Sequence, residues 1–259
     1  MNKVEKTTQQ KVHSVLRISC EALDSEEKSI FLDIACFFRG NRVDFVKRIL
    51  DGCGFKTDIG FSVLIDRCLI KISDDKVEMH DLLQKMAHEV VRKESLDELG
   101  GQSRLWSPKD VSQVLTNNLV RFIYTKVFLF ICNAMQYGCS SKFKILLQLC
   151  FSFTGFQGTG KVEGIFLDVS KIREIELSST AFARMYNLRL LKIYNSEAGF
   201  KCRVHLPHGL ESLSQELRYL HWDGYPLTTL PCNFFPENLV ELNLTFGKLK
   251  QLWRGDQVF

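Results

Sequence analysis

The sequence predicts an α+β chain: an N-terminal helical domain closed by a β-hairpin, then a C-terminal series of short strands. Two observations lead to this prediction. Helical periodicity with one hairpin-like interruption runs from Val12 to Glu94, and a leucine-rich pattern returns at a fixed interval in the last third. With 259 residues, 45% of them hydrophobic and 25% charged, the chain can bury a core in one or two domains.

Three helices are predicted before the hairpin. The first begins in the capping-box-like run Asp24-Ser25-Glu26-Glu27 and continues along an apolar stripe that ends at Gly40. The second is predicted from about Arg42 to Asp51 and the third from about Asp58 to Arg67, each with one apolar face. The residues expected to be buried in the third helix are Ile59, Phe61, Val63, Leu64 and Ile65.

A hairpin and a closing helix follow. Two apolar runs, residues 69–72 and 77–79, flank the turn Ser73-Asp74-Asp75, which predicts two antiparallel strands. An amphipathic helix is then predicted from about Asp81 to Glu94. Three helices, a hairpin and a further helix are the parts of a winged-helix domain, which we assign to residues 12–95, with 1–11 as a tail.

The tripeptide Met79-His80-Asp81 lies where the hairpin ends and the last helix begins. Free backbone N–H groups and the positive end of the helix dipole favour an anion such as a phosphate at this position. His80 and Asp81 are therefore candidate phosphate-binding residues. The alternative is that Asp81 is simply the N-cap of the helix and that His80 is a half-buried spacer.

Winged helices often bind DNA through their third helix, so a winged-helix DNA-binding transcription regulator is the alternative function. The predicted third helix carries Asp58, Asp66 and Arg67 but no basic cluster. Binding to the phosphate backbone requires several Lys or Arg contacts, so no nucleic-acid partner is expected.

Charge and cysteine content narrow the function classes further. The net charge of +4 is a weak excess without a long basic or acidic run, so it indicates no polyanionic partner. The nine cysteines include no Cys-x-x-Cys, and those at Cys36, Cys68 and Cys150 lie in apolar segments. This favours buried free thiols in a reducing compartment, without disulfides or a metal site.

The N-terminus lacks the apolar core of a signal peptide, so a cytoplasmic or nucleocytoplasmic location is expected.

A repeat is visible near the C-terminus. Leu217-Arg218-Tyr219-Leu220-His221-Trp222 aligns with Leu239-Val240-Glu241-Leu242-Asn243-Leu244 at an offset of 22 residues, and an earlier unit begins at Leu188. This spacing is typical of leucine-rich repeats, which form an α/β solenoid with a protein-binding surface. We predict a lead-in at 158–187 and about three repeats at 188–259, truncated because Phe259 follows without a polar cap.

The segment between these parts is divided into a linker at 96–118 and an apolar insert at 119–157. Leu119 to Met135 approaches the length of a membrane span, but Arg121 and Lys126 interrupt it, so a membrane partner is not expected. We favour a retained intron, because Val120-Arg121 can be encoded by a splice-donor sequence and Phe156-Gln157 by an acceptor.

A phosphate-loop pattern occurs at the end of the insert. Gly155 to Lys161 satisfies G-x-x-x-x-G-K, but Val162 replaces the Mg²⁺-binding hydroxyl and the next residues alternate like a strand. Because a phosphate loop opens a helix, we do not expect this segment to bind phosphate.

Several of these stretches resemble plant nucleotide-binding leucine-rich-repeat (NB-ARC/LRR) disease resistance proteins, specifically those that begin with a Toll/interleukin-1-receptor domain. The resemblance covers residues 12–118 and 158–257. It is carried by Ile30 to Phe38, Met79 to Met86, Ser103 to Trp106, Val162 to Asp168, and Leu217 to Leu227.

The resemblance implies roles for the tripeptide. In these receptors the Met-His-Asp element lies in the winged-helix part of the nucleotide-binding module. His80 would contact the β-phosphate of ADP and hold the resting state, Asp81 would be a helix-capping partner, and Met79 would pack. The switch would be exchange of ADP for ATP. The repeats would bind a pathogen effector, a guarded host protein or the receptor's own nucleotide-binding module.

The resemblance also implies what this chain does not do. The family's Walker A loop and its NAD-cleaving domain precede the region that the chain matches, so neither ATP nor NAD hydrolysis is expected. An autonomous ATPase is a second alternative, which an absence of nucleotide turnover would dismiss. His80 alone is expected to bind ADP weakly or not at all. The expected function is that of a partial intracellular immune receptor in defence signalling.

Overall fold

The computed structural model describes residues 20–95, 101–116, 158–197 and 203–253. The predicted tail, the apolar insert at 119–157, its intron interpretation and Cys150 lie outside the described residues. Within the described ranges, no helix has the length and apolar character needed to cross a membrane.

The N-terminal part is a winged-helix domain with the predicted order of elements. The hairpin strands β1 and β2 pair antiparallel around the predicted turn. The elements are α1 (Ser25–Asp33), a π-helix (Ile34–Phe38), α2 (Val43–Gly52), α3 (Thr57–Asp66), β1 (Lys71–Ser73), β2 (Lys76–Glu78) and α4 (Asp81–Lys93).

The first helix begins as the sequence predicts and ends differently. The Glu27 N–H donates to Asp24 Oδ1 at 2.8 Å and the Asp24 N–H donates to Glu27 Oε2 at 3.0 Å, which completes a capping box. The helix then widens into the π-helix, in which the Arg39 N–H donates to the Ile34 carbonyl rather than to that of Ala35. No sequence pattern predicted this wider turn.

Two expectations about burial are wrong. Ile59 and Ile65 are 61% and 39% exposed, because α3 buries the face that carries Gly60, Phe61 and Leu64. Cys68 is exposed as well, since it lies in the turn after α3 with a positive φ of 57°.

The C-terminal half is organised around a five-stranded parallel sheet with the order β3-β4-β6-β8-β9. The predicted repeat strands coincide with β6, β8 and β9. The segments assigned as linker and lead-in supply β3 and β4, and residues 108–116 are helical. The strands are β3 (Arg104–Leu105), β4 (Gly164–Asp168), β6 (Leu190–Tyr194), β8 (Tyr219–Trp222) and β9 (Glu241–Asn243), with a separate pair β5 (Ile175–Glu176) and β7 (Val204–His205).

Most of the sheet is covered on both faces, although β9 is only partly buried. One hydrophobic core lies within the winged-helix domain and includes Phe166, Leu190 and Tyr219 from the sheet. A second core lies on the other face and includes Leu191 and Trp222. Burial of both faces is usual for parallel strands. The winged-helix domain and the sheet therefore share one continuous packing surface.

Candidate functional site

His80 is the N-cap of α4. Its backbone is extended (φ −66°, ψ 141°), and Nδ1 accepts the Leu82 N–H at 3.2 Å. Asp81 is the first residue of the helix, so the predicted capping role of Asp81 is wrong. Because Nδ1 is the acceptor, a neutral His80 ring carries its proton on Nε2, the atom that can donate to an anion.

Asp81 forms an ion pair across the domain instead. Its Oδ1 lies 2.7 Å from Nη1 of Arg39, the residue that ends the π-helix. The hydrogen bond from Arg39 and its charge hold the pKa of the Asp81 carboxyl below its ordinary value. The carboxyl is 71% exposed, so solvent screens the pair.

The π-helix connects to α4 through a second set of polar contacts. Arg39 Nη1 also donates to Gln84 Oε1 at 2.6 Å, and Gln84 Nε2 donates to the Ala35 carbonyl at 2.8 Å. The His88 ring lies 3.3 Å from the same carbonyl. In a regular α-helix the Arg39 N–H would occupy this carbonyl, so the π-helix makes it available to α4.

An open cavity of 570 Å³ lies beside His80. Its lining includes the basic residues Arg39, Lys71 and His80 and the acidic residues Glu78 and Asp81. The two carboxylates offset the charges of Arg39 and Lys71, so the group that can donate to an anion here is the Nε2–H of His80, beside the helix N-terminus. Met79 is 3% exposed and packs into the domain core, as expected.

Sequence reasoning missed a buried charge cluster between the winged-helix domain and the sheet. Asp33 is fully buried at the end of α1. Its Oδ1 lies 2.7 Å from Arg104 Nε and its Oδ2 lies 2.8 Å from Arg189 Nη1. The second contact is an ion pair. Burial alone would raise the pKa of Asp33, but the two guanidinium groups outweigh it and lower that pKa.

Glu163 completes this cluster. Its Oε2 lies 2.9 Å from Arg189 Nη2 and 3.6 Å from Arg104 Nη2, which leaves two carboxylates facing two guanidinium groups. Asp33 and Arg104 belong to two of the stretches that carry the family resemblance. The sequence signal that could have revealed the cluster is Asp33, a charged residue inside an apolar run. Its partners Arg104 and Arg189 are distant along the chain, so the sequence does not identify them.

Other contacts reinforce the same interface. The rings of Phe37 and Phe166 have centroids 4.5 Å apart. Arg218 Nε donates to the Gly52 carbonyl at 2.8 Å. The Asp33 cluster therefore lies within an extended contact rather than at an isolated point.

Comparison with known proteins matches the N-terminal domain to one family and nearly the whole chain to individual relatives. Residues 24–95 match the family described as "Disease resistance protein Roq1-like, winged-helix domain". Over 94% of its length the chain is 42% identical to Disease resistance protein RPP2A of Arabidopsis thaliana, of which it covers 16%.

Two further relatives extend the comparison. The chain is 37% identical over 95% of its length to Disease resistance protein RRS1 of Arabidopsis thaliana and covers 16% of that protein. It is 36% identical over 99% of its length to Disease resistance protein RUN1 of Vitis rotundifolia and covers 18%. The chain thus spans less than a fifth of the length of these relatives.

Proposed function

We propose that this chain, a member of the plant disease resistance protein family, provides the regulatory and protein-binding part of an intracellular immune receptor. The observation that carries the proposal is the position of His80, which caps α4 beside a cavity lined by Arg39 and Lys71. In a complete receptor, His80 would donate through Nε2 to a phosphate of ADP and stabilise the resting state.

The five-stranded sheet would be the beginning of a leucine-rich-repeat solenoid. Parallel strands β6, β8 and β9 begin at residues 190, 219 and 241, intervals that match such repeats. We propose that this part binds protein partners: a pathogen effector, a guarded host protein or the receptor's own nucleotide-binding module. The motif stretches favour the class with a Toll/interleukin-1-receptor domain, acting in the cytoplasm or nucleocytoplasm without hydrolysing ATP or NAD in this segment.

The contacts of the proposed site supply too little binding free energy to hold ADP tightly by themselves. A hydrogen bond to a charged group contributes about 1.5–3 kcal/mol and a helix N-terminus about 0.3–1 kcal/mol. Their sum is below the roughly 4.1 kcal/mol that corresponds to a dissociation constant of about 1 mM, before any association entropy is subtracted. The rest of the binding energy would come from other parts of a receptor.

A nucleotide titration followed by NMR tests the phosphate contact. Addition of millimolar ADP should shift the ring signals of His80 and the Leu82 amide, with a dissociation constant weaker than about 1 mM. Inorganic pyrophosphate should shift the same signals, and adenosine should not. His80→Ala should remove the response of the Leu82 amide, whereas His208→Ala, which replaces another exposed histidine, should leave it unchanged.

Other outcomes would contradict the proposal. Micromolar binding by this chain would mean that it holds a complete nucleotide site. A response that survives His80→Ala would place the phosphate elsewhere. In the plant, an edited His80→Ala allele is expected to produce defence output without infection, and unchanged output would remove the resting-state role.

A gel-shift assay with duplex DNA distinguishes the DNA-binding alternative from the proposed function. The exposed part of α3 carries Asp58, Ile59 and Asp66, which does not favour DNA phosphates. A salt-dependent shift of duplex DNA by this chain would restore that alternative.

A further inference from the structure

We propose that Arg39 is the positioning residue of the His80 site: its guanidinium joins the end of the π-helix to the first turn of α4 and so fixes where His80 lies. The inference deepens the proposed phosphate contact and rests on it for its functional meaning. The contacts that support it can be tested without any nucleotide.

The backbone around Arg39 is a firm base for such a role. Arg39 leaves the π-helix with φ −54° and ψ 130°, and its own N–H remains bonded to the Ile34 carbonyl. Gly40 follows with a φ of 81°, which favours glycine, and its N–H donates to the Val77 carbonyl at 2.7 Å. The hairpin and the π-helix therefore hold the Arg39 backbone from both sides.

The guanidinium contacts two residues on one face of α4. Asp81 and Gln84 are three positions apart, the spacing at which helical side chains are neighbours. Arg39 Nη1 lies 2.7 Å from Asp81 Oδ1 and 2.6 Å from Gln84 Oε1. Because the Arg39 guanidinium contacts both Asp81 and Gln84, it opposes rotation of the first turn of α4 about the helix axis. It also opposes movement of that turn away from the π-helix.

The backbone of His80 is held by its carbonyl, which accepts the Leu83 and Gln84 N–H groups at 3.0 and 3.1 Å. The ring has one hydrogen bond of 3.2 Å, accepted by Nδ1 from the Leu82 N–H, and this bond depends on the position of the first turn. Asp81 is covalently next to His80 and is bound by the shorter contact to Arg39. The arginine thus sets the position of the histidine through its neighbour, without contacting the histidine ring.

NMR of this chain with Arg39→Gln tests the proposal. We expect hydrogen exchange at the Leu82 amide to become about fivefold faster, the size of an N-cap effect, and the His80 ring signals to move. The pKa of Asp81 should rise toward its ordinary value, with His80 and Lys85 as the other charged groups that act on it. Arg39→Lys should give an intermediate result, because an ammonium cannot form the same planar fork.

Lys47→Gln is the matched control. Lys47 is 30% exposed, as Arg39 is, and its Nζ lies 2.6 Å from the Asp58 carboxyl, but this pair joins α2 to α3. We expect no change at His80, Leu82 or Asp81 in this variant.

Two results would overturn the proposal. The first is an unchanged His80 ring and Leu82 amide in Arg39→Gln, which would show that the cap suffices. The second is equal acceleration of exchange at Leu82 and at later amides of α4, such as Val91, which would show general destabilisation. If the variant behaves as expected but ADP leaves His80 unperturbed, positioning by Arg39 stands and the proposed phosphate contact falls.

Discussion

Replacing Asp33 with asparagine is the most informative test of the interface between the winged-helix domain and the sheet. The substitution preserves the size and shape of the side chain while removing its charge. The buried guanidinium groups of Arg104 and Arg189 are 3% and 12% exposed. In the variant the carboxylate that still pairs with them is that of Glu163, which is itself 37% exposed. The variant therefore isolates the charge of Asp33 from its packing.

The expected cost is about 3 kcal/mol. Removing one partner of a buried ion pair costs about 3–5 kcal/mol, because the remaining charge stays buried without compensation. Glu163 lies 2.9 Å from Arg189 and offsets part of this cost, which places the expectation at the lower end of the range. In contrast, Glu197→Gln removes the exposed pair with Lys171 and should cost at most about 1 kcal/mol.

The assay is urea denaturation followed by tryptophan fluorescence and circular dichroism. Trp106 reports on the winged-helix side, where it stacks on His88, and Trp222 reports on the second core. Because the two cores meet at the sheet, we expect one shared transition whose midpoint falls in Asp33→Asn.

The effect should depend on pH in a defined direction. The pKa of Asp33 is lowered in the folded chain, so its charge stabilises the fold fully above the unfolded value of about 3.9. This contribution is lost as the pH falls through the lower folded value. The difference between wild type and Asp33→Asn should be constant from about pH 5 to pH 8 and should shrink below about pH 4. A cost below about 1 kcal/mol at pH 7, or a difference that persists undiminished in acid, would refute the reasoning.

Three further variants test the packing. Gly164→Ala would place a methyl group against the buried ring of Phe37 and should destabilise the chain by about 1–3 kcal/mol in urea; an unchanged midpoint would show that the ring can move aside. A Cβ on residue 52 would lie 3.5 Å from Cβ of Val240, within the range for a disulfide, so Gly52→Cys with Val240→Cys should oxidise readily and add up to about 4 kcal/mol. If the pair stays reduced under mild oxidation, the two segments are farther apart than described. Ile59→Glu should change the free energy of unfolding by less than about 0.5 kcal/mol, and a loss above 2 kcal/mol would mean that this face of α3 is buried.

The elements of the winged-helix domain were predictable because their signals are local. The capping box at Asp24 lies within four residues of its partner. The hairpin turn places Asp74 and Asp75 at φ values of 50° and 59°, a conformation that aspartate tolerates better than most residues. Strands β6, β8 and β9 were marked by leucine spacing, whereas β3 and β4 lie in the segments that were assigned as linker and lead-in.

The site was predictable only in part, because its decisive contacts are distant along the chain. His80 was identified from its place at a helix start. The choice between His80 and Asp81 as the cap depended on Arg39, which lies 42 positions before Asp81 and draws its carboxylate away. Asp33 finds Arg104 at a separation of 71 residues, and no local pattern specifies such a pair. The exposed faces of α3 were misassigned because apolar residues occur on more than one of its sides.

The π-helix explains how one short segment serves both the sheet and the start of α4. Asp33 precedes it and is held by Arg104 and Arg189, while Arg39 ends it and holds Asp81. A π-turn holds one residue more than an α-turn. If the same residues formed a regular α-helix, the direction of the Arg39 side chain about the helix axis would therefore change by about 100°. It would also direct the Arg39 N–H to the Ala35 carbonyl, which would then compete with Gln84 and His88 for the same oxygen. The extra residue of the π-turn is therefore what makes the buried cluster at one end compatible with the His80 site at the other.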